Sequence, residues 1–381
     1  MAGPLAGIRV VDLTTVGPGA RAAALLADLG ADVVKVGPPA AAGRIVAGAW
    51  AYSAGRGCRR IGLDLKADAG REVLLRLAER ADVVLEGFRP GVADRLGIGA
   101  ATLRERNPRL VYAALTGYGQ DGPYADWAGH DINYQAVAGA LAAAGREADG
   151  TPAIPGATFA DSAGGGMHAV LSICAALVER ATTGTGTTLD VAAVDGMLSL
   201  MSLTLDEHLA TGRAATPRGT LLQGRYAFYD TYSCDDGRFV AVGAIEPKFF
   251  ANLCRGLGCE QWLDHQHDDE VQDKVRADFA AAFLTRTRDE WVAELGPADA
   301  CVSAVLAVDE VPDDPHLSSR FADAEVDGEP LRQTGRVLAG SRAQPTEVGV
   351  APTQTDPHQI LTEIGIAATD VDRLIEDGVV Q

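Results

Sequence analysis

Short apolar runs alternate with helix-spaced patterns through the first third of the chain. Ile8–Leu13 (IRVVDL) is a β-branched run of strand length. GPGARAAALLADLG follows it with a Gly-Pro turn and an Ala/Leu-rich stretch that stops at Gly30, the pattern of a helix with a glycine terminator. Asp32–Val36 (DVVKV), RRIGLDL, Asp82–Phe88 (DVVLEGF) and Arg109–Gly119 (RLVYAALTGYG) are further strand-like runs. Between them ADAGREVLLRLAER puts Val73, Leu74 and Leu77 on one helical face. Strands separated by roughly ten to fifteen helical residues require crossover connections, and these imply an α/β fold with a parallel sheet.

The period changes further along. Asn133 to Arg180 is mostly helical, interrupted by a loop, GREADGTPAIPGATFADSAGGG, after which the three glycines open an apolar helix. TTLDV is strand-like and leads into a long helix. Tyr226–Ile245 alternates as a hairpin turning at Asp-Asp-Gly, and EPKFFANLCRGLG and DKVRADFAAAFLTRTRDEWVAELG are helical. The pattern divides the chain into a large domain over 1–190, completed by 330–381, and a small α+β domain over 224–325. A linker helix (191–223) and a return linker (326–336) join them. A final helix, ATDVDRLIEDGV, closes the chain, and no repeat is seen.

A length of 381 residues fits two such domains. The formal charge of −19 repels polyanions at long range, so it argues against nucleic acid and anionic membranes as partners while leaving a small anionic ligand open. Six cysteines without a CxxC pair suggest reduced thiols and a cytoplasmic setting. The N-terminal residues lack a signal-peptide pattern, and no apolar run is expected to reach membrane-span length.

Several stretches carry candidate chemistry. GPGARA (Gly17–Ala22) has the form of a phosphate-facing turn, but the second strand ends in VKVGPP without the carboxylate a nicotinamide ribose needs. GFRPGVADRLG puts Arg89 at the C-terminal end of a strand, where open parallel sheets bind ligands, with Arg95 shortly after. Together with Lys66 these arginines suit a polyanion. HQHDDE (His265–Glu270) lacks metal-ligand spacing and is taken as a solvated loop. In AGHDINYQAVAG, His130 is either a reacting group or a helix cap. In ATFADSAGGGMHAV, Asp161 is either an N-cap or a reacting carboxylate. The glycines after it would allow close approach of a substrate to backbone amides. Glu246 in AIEPKFF taken alone is an ordinary first-turn glutamate.

Taken in order, GPLAGIRVVDLTTVGPG, GADVVKV, LDLK, EGFRPGV, RLVYAALTGYGQDGP, AGHDINY, DSAGGGM, TTLDVAAVDG, YDTYSCDDGRFVAVGAIEPKFF, DACVSAVLAVDEV and DDPHLSSR resemble the family III CoA transferases (the CaiB/BaiF family) over nearly the whole chain. GHDINY and GAIEP resemble its α-methylacyl-CoA racemase branch. The resemblance implies a Rossmann-like large domain and a smaller α+β domain in an interlocked homodimer, with the active site at the subunit interface. It implies an isomerase of lipid metabolism that interconverts (R)- and (S)-2-methylacyl-CoA thioesters. The acyl-CoA is its substrate, and no metal or other cofactor is required. A CoA transferase working through an aspartyl intermediate is the alternative.

By the same resemblance His130 and Asp161 are the acid/base pair and Glu246 orients or charges His130. CoA lies along Leu63, Asp64, Leu65 and Lys66, along Gly87, Phe88 and Arg89, at Arg95, and along Gly129, Ile132, Asn133 and Tyr134. Gly164, Gly165 and Gly166 form the helix start under the thioester oxygen. Inverting a carbon α to a thioester needs one group to remove a proton from one face and another to return it on the opposite face, which a carboxylate and an imidazolium supply. A transferase has no such use for a histidine at 130. Asp131 is a structural or ligand-segment residue, since neighbours on regular structure point apart. Pro38 stands where relatives have a nucleotide-binding arginine, so Arg44 or Arg59 is expected to replace it.

Overall fold

Residues 3–39, 55–213, 216–326, 329–339 and 355–381 are described by the computed structural model. The chain starts β1 (Arg9–Asp12), α1 (Gly17–Asp28), β2 (Asp32–Gly37), β3 (Cys58–Gly62), α2 (Asp68–Glu79) and β4 (Val83–Glu86). It continues α3 (Val92–Arg95), α4 (Ala100–Arg106), β5 (Val111–Thr116), α5 (Asp131–Val137) and α6 (Ala140–Ala143). A π-helical turn (Ala160–Met167) runs directly into α7 (His168–Thr183), followed by β6 (Thr188–Ala192) and α8 (Ala193–Thr211).

The six strands pair in parallel in the order β3-β2-β1-β4-β5-β6. Both faces are buried, which is why the strands are nearly continuous in Val, Leu and Ala. Val10, Val33, Val83 and Val111 cluster with Ala22, Ala23 and Leu26 of α1 and with Ala169 and Ile173 of α7. Their neighbours Val11, Val34, Val84 and Tyr112 cluster on the other face with Val73, Leu74 and Leu77 of α2. The strand order reverses between β1 and β4, and open sheets of this kind bind ligands at the C-terminal ends of the strands flanking that point.

The chain divides into two compact units, the larger of 1–140, 155–203 and 316–381 and the smaller of 141–154 and 204–315. In the smaller unit β7 (Tyr229–Ser233) and β8 (Phe239–Gly243) form the expected hairpin, turning at Gly237 with φ +72°. Against this sheet lie α9 (Pro247–Leu257), α10 (Gln272–Phe283) and α11 (Arg288–Leu295). A third strand, β9 (Val302–Val305), pairs with β8. Phe228, Phe250, Phe279, Phe283 and Trp291 fill this core.

In the larger unit, 326–336, expected as a connecting segment, instead holds most of the second strand of an antiparallel hairpin, β10 (Phe321–Val326) and β11 (Glu329–Thr334). Helices α12 (Pro357–Glu363) and α13 (Ala368–Glu376) bring Ile360, Leu361 and Val371 into the core on the α2 face. The last residue, Gln381, exchanges backbone hydrogen bonds of 2.6 and 3.0 Å with Gly62.

Ala160–Thr183 forms one helix long and apolar enough, with mean hydropathy 1.3, to match a membrane span. That corrects the expectation that no segment would. The helix lies on the sheet through Ala169, Ile173 and Ala176 and leaves Leu171 and Val178 70 % exposed. On α8, Leu200, Leu203 and Leu209 are exposed as well.

Arg56, only 3 % exposed, joins the β10–β11 hairpin to α1. Its guanidinium donates to both carboxylate oxygens of Asp28 at 2.9 and 2.7 Å, to Gln333 Oε1 at 3.1 Å and to Gly335 O at 3.0 Å. Removing Arg56 would leave the buried Asp28 carboxylate to the more distant Arg336, whose Nε lies 3.5 Å from Oδ1. Arg56→Ala is therefore expected to lower stability by about 3 kcal/mol or more in denaturant unfolding, against under about 0.5 kcal/mol for an exposed control such as Arg76→Ala.

Candidate active site

The loops at the C-terminal ends of β1 and β4 meet at the reversal point of the sheet. β4 ends in Glu86, 4 % exposed, whose Oε2 accepts the Phe88 N–H at 2.6 Å. This bond shapes the Gly87–Arg89 turn and leaves Arg89 exposed. Burial pushes the Glu86 carboxyl up to about 7; the Phe88 amide and Tyr112 hydroxyl work against that shift, and Asp94 and Asp190 add to it. Arg95, at the end of α3, is exposed, with its guanidinium near Gly91.

Beyond β3 the four expected CoA contacts differ in kind. Leu63 is a core side chain and bridges to Val380. Leu65 packs on that core, Asp64 accepts the Lys66 N–H at 3.0 Å, and Lys66 itself is exposed. Arg59 does not stand in for an arginine at 38: it grips Asp32 at 2.6–3.1 Å and pairs with Glu363 at 2.8 Å. Its guanidinium already closes ion pairs between β2, β3 and α12. Arg44 lies outside the described residues.

The second half of the site is built around Tyr134. A Cβ at Gly117 or Gly129 would lie 2.2 or 2.7 Å from its ring, so both positions admit only glycine. The Tyr134 hydroxyl donates to Gly129 O at 2.6 Å and thereby fixes the segment leading to His130. His130 occupies the N-cap position of α5, yet its imidazole makes no capping bond. Instead its backbone N–H donates to Asn133 Oδ1 at 3.0 Å, and the ring stays exposed. Ile132 and Asn133 are exposed on the same first turn.

Asp161 lies in the first turn of the π-helical segment. Its backbone N–H donates to Asp131 Oδ1 at 2.9 Å, while Asp131 Oδ2 accepts from Gln135 at 2.5 Å. Asp131 is thus the brace between the His130 and Asp161 segments. Burial pushes the Asp161 carboxyl up, the Asp131 carboxylate adds to the push, and His130 and Arg21 pull it back. Gly17, with φ +66°, faces it: a Cβ there would sit 3.4 Å from Asp161 Oδ2. So Gly17 to Ala22, resembling a phosphate turn, in fact shapes the wall beside a carboxylate. π-turns are rare and concentrate at functional sites.

The three glycines have another role than the expected one. The helix starts at Ala160, not at Gly164, so Gly164, Gly165 and Gly166 lie inside it, away from its open amides. They are buried against neighbours: a Cβ at Gly164 would meet Ala193 O at 2.8 Å, and one at Gly165 would meet Pro18 at 2.4 Å. At Gly166 the nearest atoms are Asp161 O at 3.1 Å and the Arg21 side chain at 3.2 Å.

Glu246, in the smaller unit, is the exposed N-cap residue of α9, close enough to Cys301 to help raise its thiol pKa after burial. In the His265–Glu270 loop, His265 Nδ1 lies 3.1 Å from Asp268 Oδ2 and Asp268 Oδ1 accepts the Glu270 N–H, a self-contained turn. Among the described residues no cluster of His, Cys, Asp and Glu has metal-binding geometry. All six cysteines are unpaired. Sequence reasoning missed Glu86 and the bracing role of Asp131, and it read Gly17 as part of a phosphate-facing turn rather than as the neighbour of Asp161. Glu86 directly precedes the noted GFRPG, and its position at a strand end was the available signal.

The CoA-transferase family III pattern matches residues 5–356. Alpha-methylacyl-CoA racemase of Mus musculus is 38 % identical over 381 residues, 99 % of this chain and 97 % of the mouse protein. The Homo sapiens racemase is equally similar, 38 % over 383 residues with the same coverage. Acetyl-CoA:oxalate CoA-transferase of Acetobacter aceti is 32 % identical over 332 residues, 84 % of this chain and 85 % of that protein. The crystal structure of Rv3272 from M. tuberculosis superposes with a TM-score of 0.77 at 28 % identity, over 92 % of this chain and 98 % of that one.

The raised Glu86 pKa makes a prediction with a definite sign. A carboxyl whose folded pKa exceeds its unfolded value favours the fold at low pH and loses that advantage as pH rises through the folded value. From a usual value of 4.5 to about 7, this group is expected to cost up to about 3 kcal/mol of stability between about pH 4.5 and 8. Glu86→Gln removes that slope; urea unfolding of both proteins at intervals across this range checks it.

Proposed function

Because the chain belongs to CoA-transferase family III, we propose that it is a racemase interconverting (R)- and (S)-2-methylacyl-CoA thioesters without a metal or redox cofactor. The observation that carries this reading is the placement of His130 and Asp161. Two different acid/base groups stand on separate elements braced by Asp131 at the sheet's ligand-binding end, and the Asp161 carboxyl feels the charge of His130. The 38 % identity to the mouse and human racemases supports it.

One of the two groups takes the proton from the α-carbon and the other delivers a proton to the opposite face. Their roles exchange with the configuration of the substrate. A carboxyl held above its ordinary pKa is a stronger base toward a weak carbon acid, which suits Asp161. The enolate places negative charge on the thioester oxygen. Since Gly164–Gly166 lie within a helix, the stabilising amides are those of Asp131 and Ile132. They precede Asn133, whose N–H makes the first-turn bond to His130 O at 2.8 Å.

Arg89, Arg95 and Lys66 are exposed cations suited to the CoA phosphates. Gly87, Phe88 and the Gly129–Tyr134 segment line the remainder, with Asp64 and Leu65 beside Lys66. Glu246 of a second copy orients His130, in a homodimer whose active site is shared between subunits. The exposed Leu171, Val178, Leu200, Leu203 and Leu209 favour such an assembly, because apolar side chains in this number gain by being covered. The unpaired thiols fit the cytoplasm.

Incubation of one 2-methylacyl-CoA epimer in deuterated water, with and without an acceptor acid, tests the reading. Epimerisation with deuterium at the α-carbon is expected; CoA arriving on the acceptor without α-exchange would establish a transferase instead. His130→Ala and Asp161→Ala are each expected to lower kcat by about 10²- to 10⁴-fold while CoA still binds. Retained turnover in either removes that residue from the mechanism.

A further inference from the structure

Thr14 lies at the reversal point of the sheet, on the first turn beyond β1, and it is held unusually firmly. Asp12, fully buried at the end of β1, accepts both the Thr14 N–H at 2.8 Å and the Thr14 hydroxyl at 2.6 Å through Oδ1. Its other oxygen pairs with Lys35 of β2. Thr14 is itself 5 % exposed. Its methyl carbon Cγ2 would stand 2.3 Å from a Cβ at Gly19 and 3.3 Å from a Cβ at Gly87. One side chain therefore touches the first turn of α1 and the turn that carries Arg89. The first turn of α1 in turn holds Gly17 against the Asp161 carboxylate.

We propose that Thr14, locked by Asp12, is a positioning residue that couples the CoA-holding turn at Gly87–Arg89 to the Asp161 carboxyl. The thioester is fixed through its CoA end, and the α-carbon must meet Asp161 within a few tenths of an ångström of the productive distance. A wedge between the two segments sets that distance. Threonine suits the task, with a hydroxyl for Asp12 and a methyl for the two glycine surfaces. Serine would keep the first and lose the second. This inference rests on the reading of Asp161 as an acid/base group and of Gly87–Arg89 as a CoA contact.

The test is a double-mutant cycle on Thr14→Ser and Gly87→Ala. It is read by calorimetric CoA affinity and by ¹³C NMR titration of the Asp161 carboxyl. Gly87 has no positive φ, and the nearest atoms a Cβ there would meet are Thr14 Cγ2 at 3.3 Å, Thr14 Cβ at 3.7 Å and Leu115 O at 3.8 Å, so alanine should fold. In the Thr14 background Gly87→Ala is expected to weaken CoA binding by about fivefold or more; in the Thr14→Ser background the same change should cost under about twofold.

Thr14→Ser alone should admit water beside Gly17 and move the Asp161 titration down toward the ordinary carboxylate value. Asp131, His130, Arg21 and Tyr134, the other titratable groups facing it, are left in place. Equal costs in the two backgrounds, or an Asp161 titration that stays put, would overturn the coupling. So would a lowered melting temperature with both readouts unchanged, the signature of a purely structural residue. Neither readout needs turnover. Absence of α-proton exchange in the wild-type protein sinks the racemase reading separately.

Discussion

The approach of the Ala160–Thr183 helix to its neighbours is the constraint on which the site depends. At Gly196 an added Cβ would lie 1.9 Å from the Gly164 carbonyl oxygen, and at Gly165 it would lie 2.4 Å from Pro18. Backbones this close leave no freedom to slide, since interiors are packed as densely as organic crystals. The position of Asp161, one residue into the same helix, follows from contacts several residues away. A π-turn at this point widens the helix by one residue per hydrogen-bonded ring and delivers the Asp161 N–H to Asp131. Geometry that looks local to the carboxylate is inherited from glycine contacts with α1 and α8.

Charge acts on a second scale. The molecule carries −19 overall, yet the charges that act on Asp161 are a short list of near neighbours. Asp131 sits where it raises its neighbour's proton affinity, and His130 and Arg21 oppose that effect. With both signs present, burial and Asp131 still win, and the Asp161 carboxyl is held above its ordinary value. Against that overall charge, Arg89, Arg95 and Lys66 are exposed cations on the segments beyond the C-terminal ends of β3 and β4.

Much of this was legible in the chain. Strands β1, β2, β4 and β5 announce themselves because both faces of the sheet are buried, so their apolar runs are unbroken. The β7–β8 hairpin carries its Asp-Asp-Gly turn in plain view. The start of the Asp161 helix was not legible: DSAGGG has the composition of a loop, and only the tight packing of Gly164–Gly166 on α1 and α8 makes it helical, a tertiary override of local propensity. β10 and β11 flank an Asp-Gly pair, a hairpin signal that was readable, but their charged, weakly alternating residues masked it. Arg59 was misjudged because charge alone does not reveal whether a guanidinium is already paired.

Asp131 is the clearest case of what spacing can and cannot say. Adjacency correctly excluded it as a partner for the His130 ring, because consecutive residues at a helix start diverge. The diverging carboxylate points instead toward the Asp161 turn. Its two oxygens satisfy one donor on α5, Gln135, and one on the turn of Asp161, thirty residues further along the chain from Asp131. A residue ruled out as a partner for the His130 ring is therefore what ties the His130 segment to the Asp161 turn. Exchanging its charge for an amide of the same shape would leave the Asp161 N–H an acceptor but remove the field. Shape and charge at Asp131 can therefore be separated.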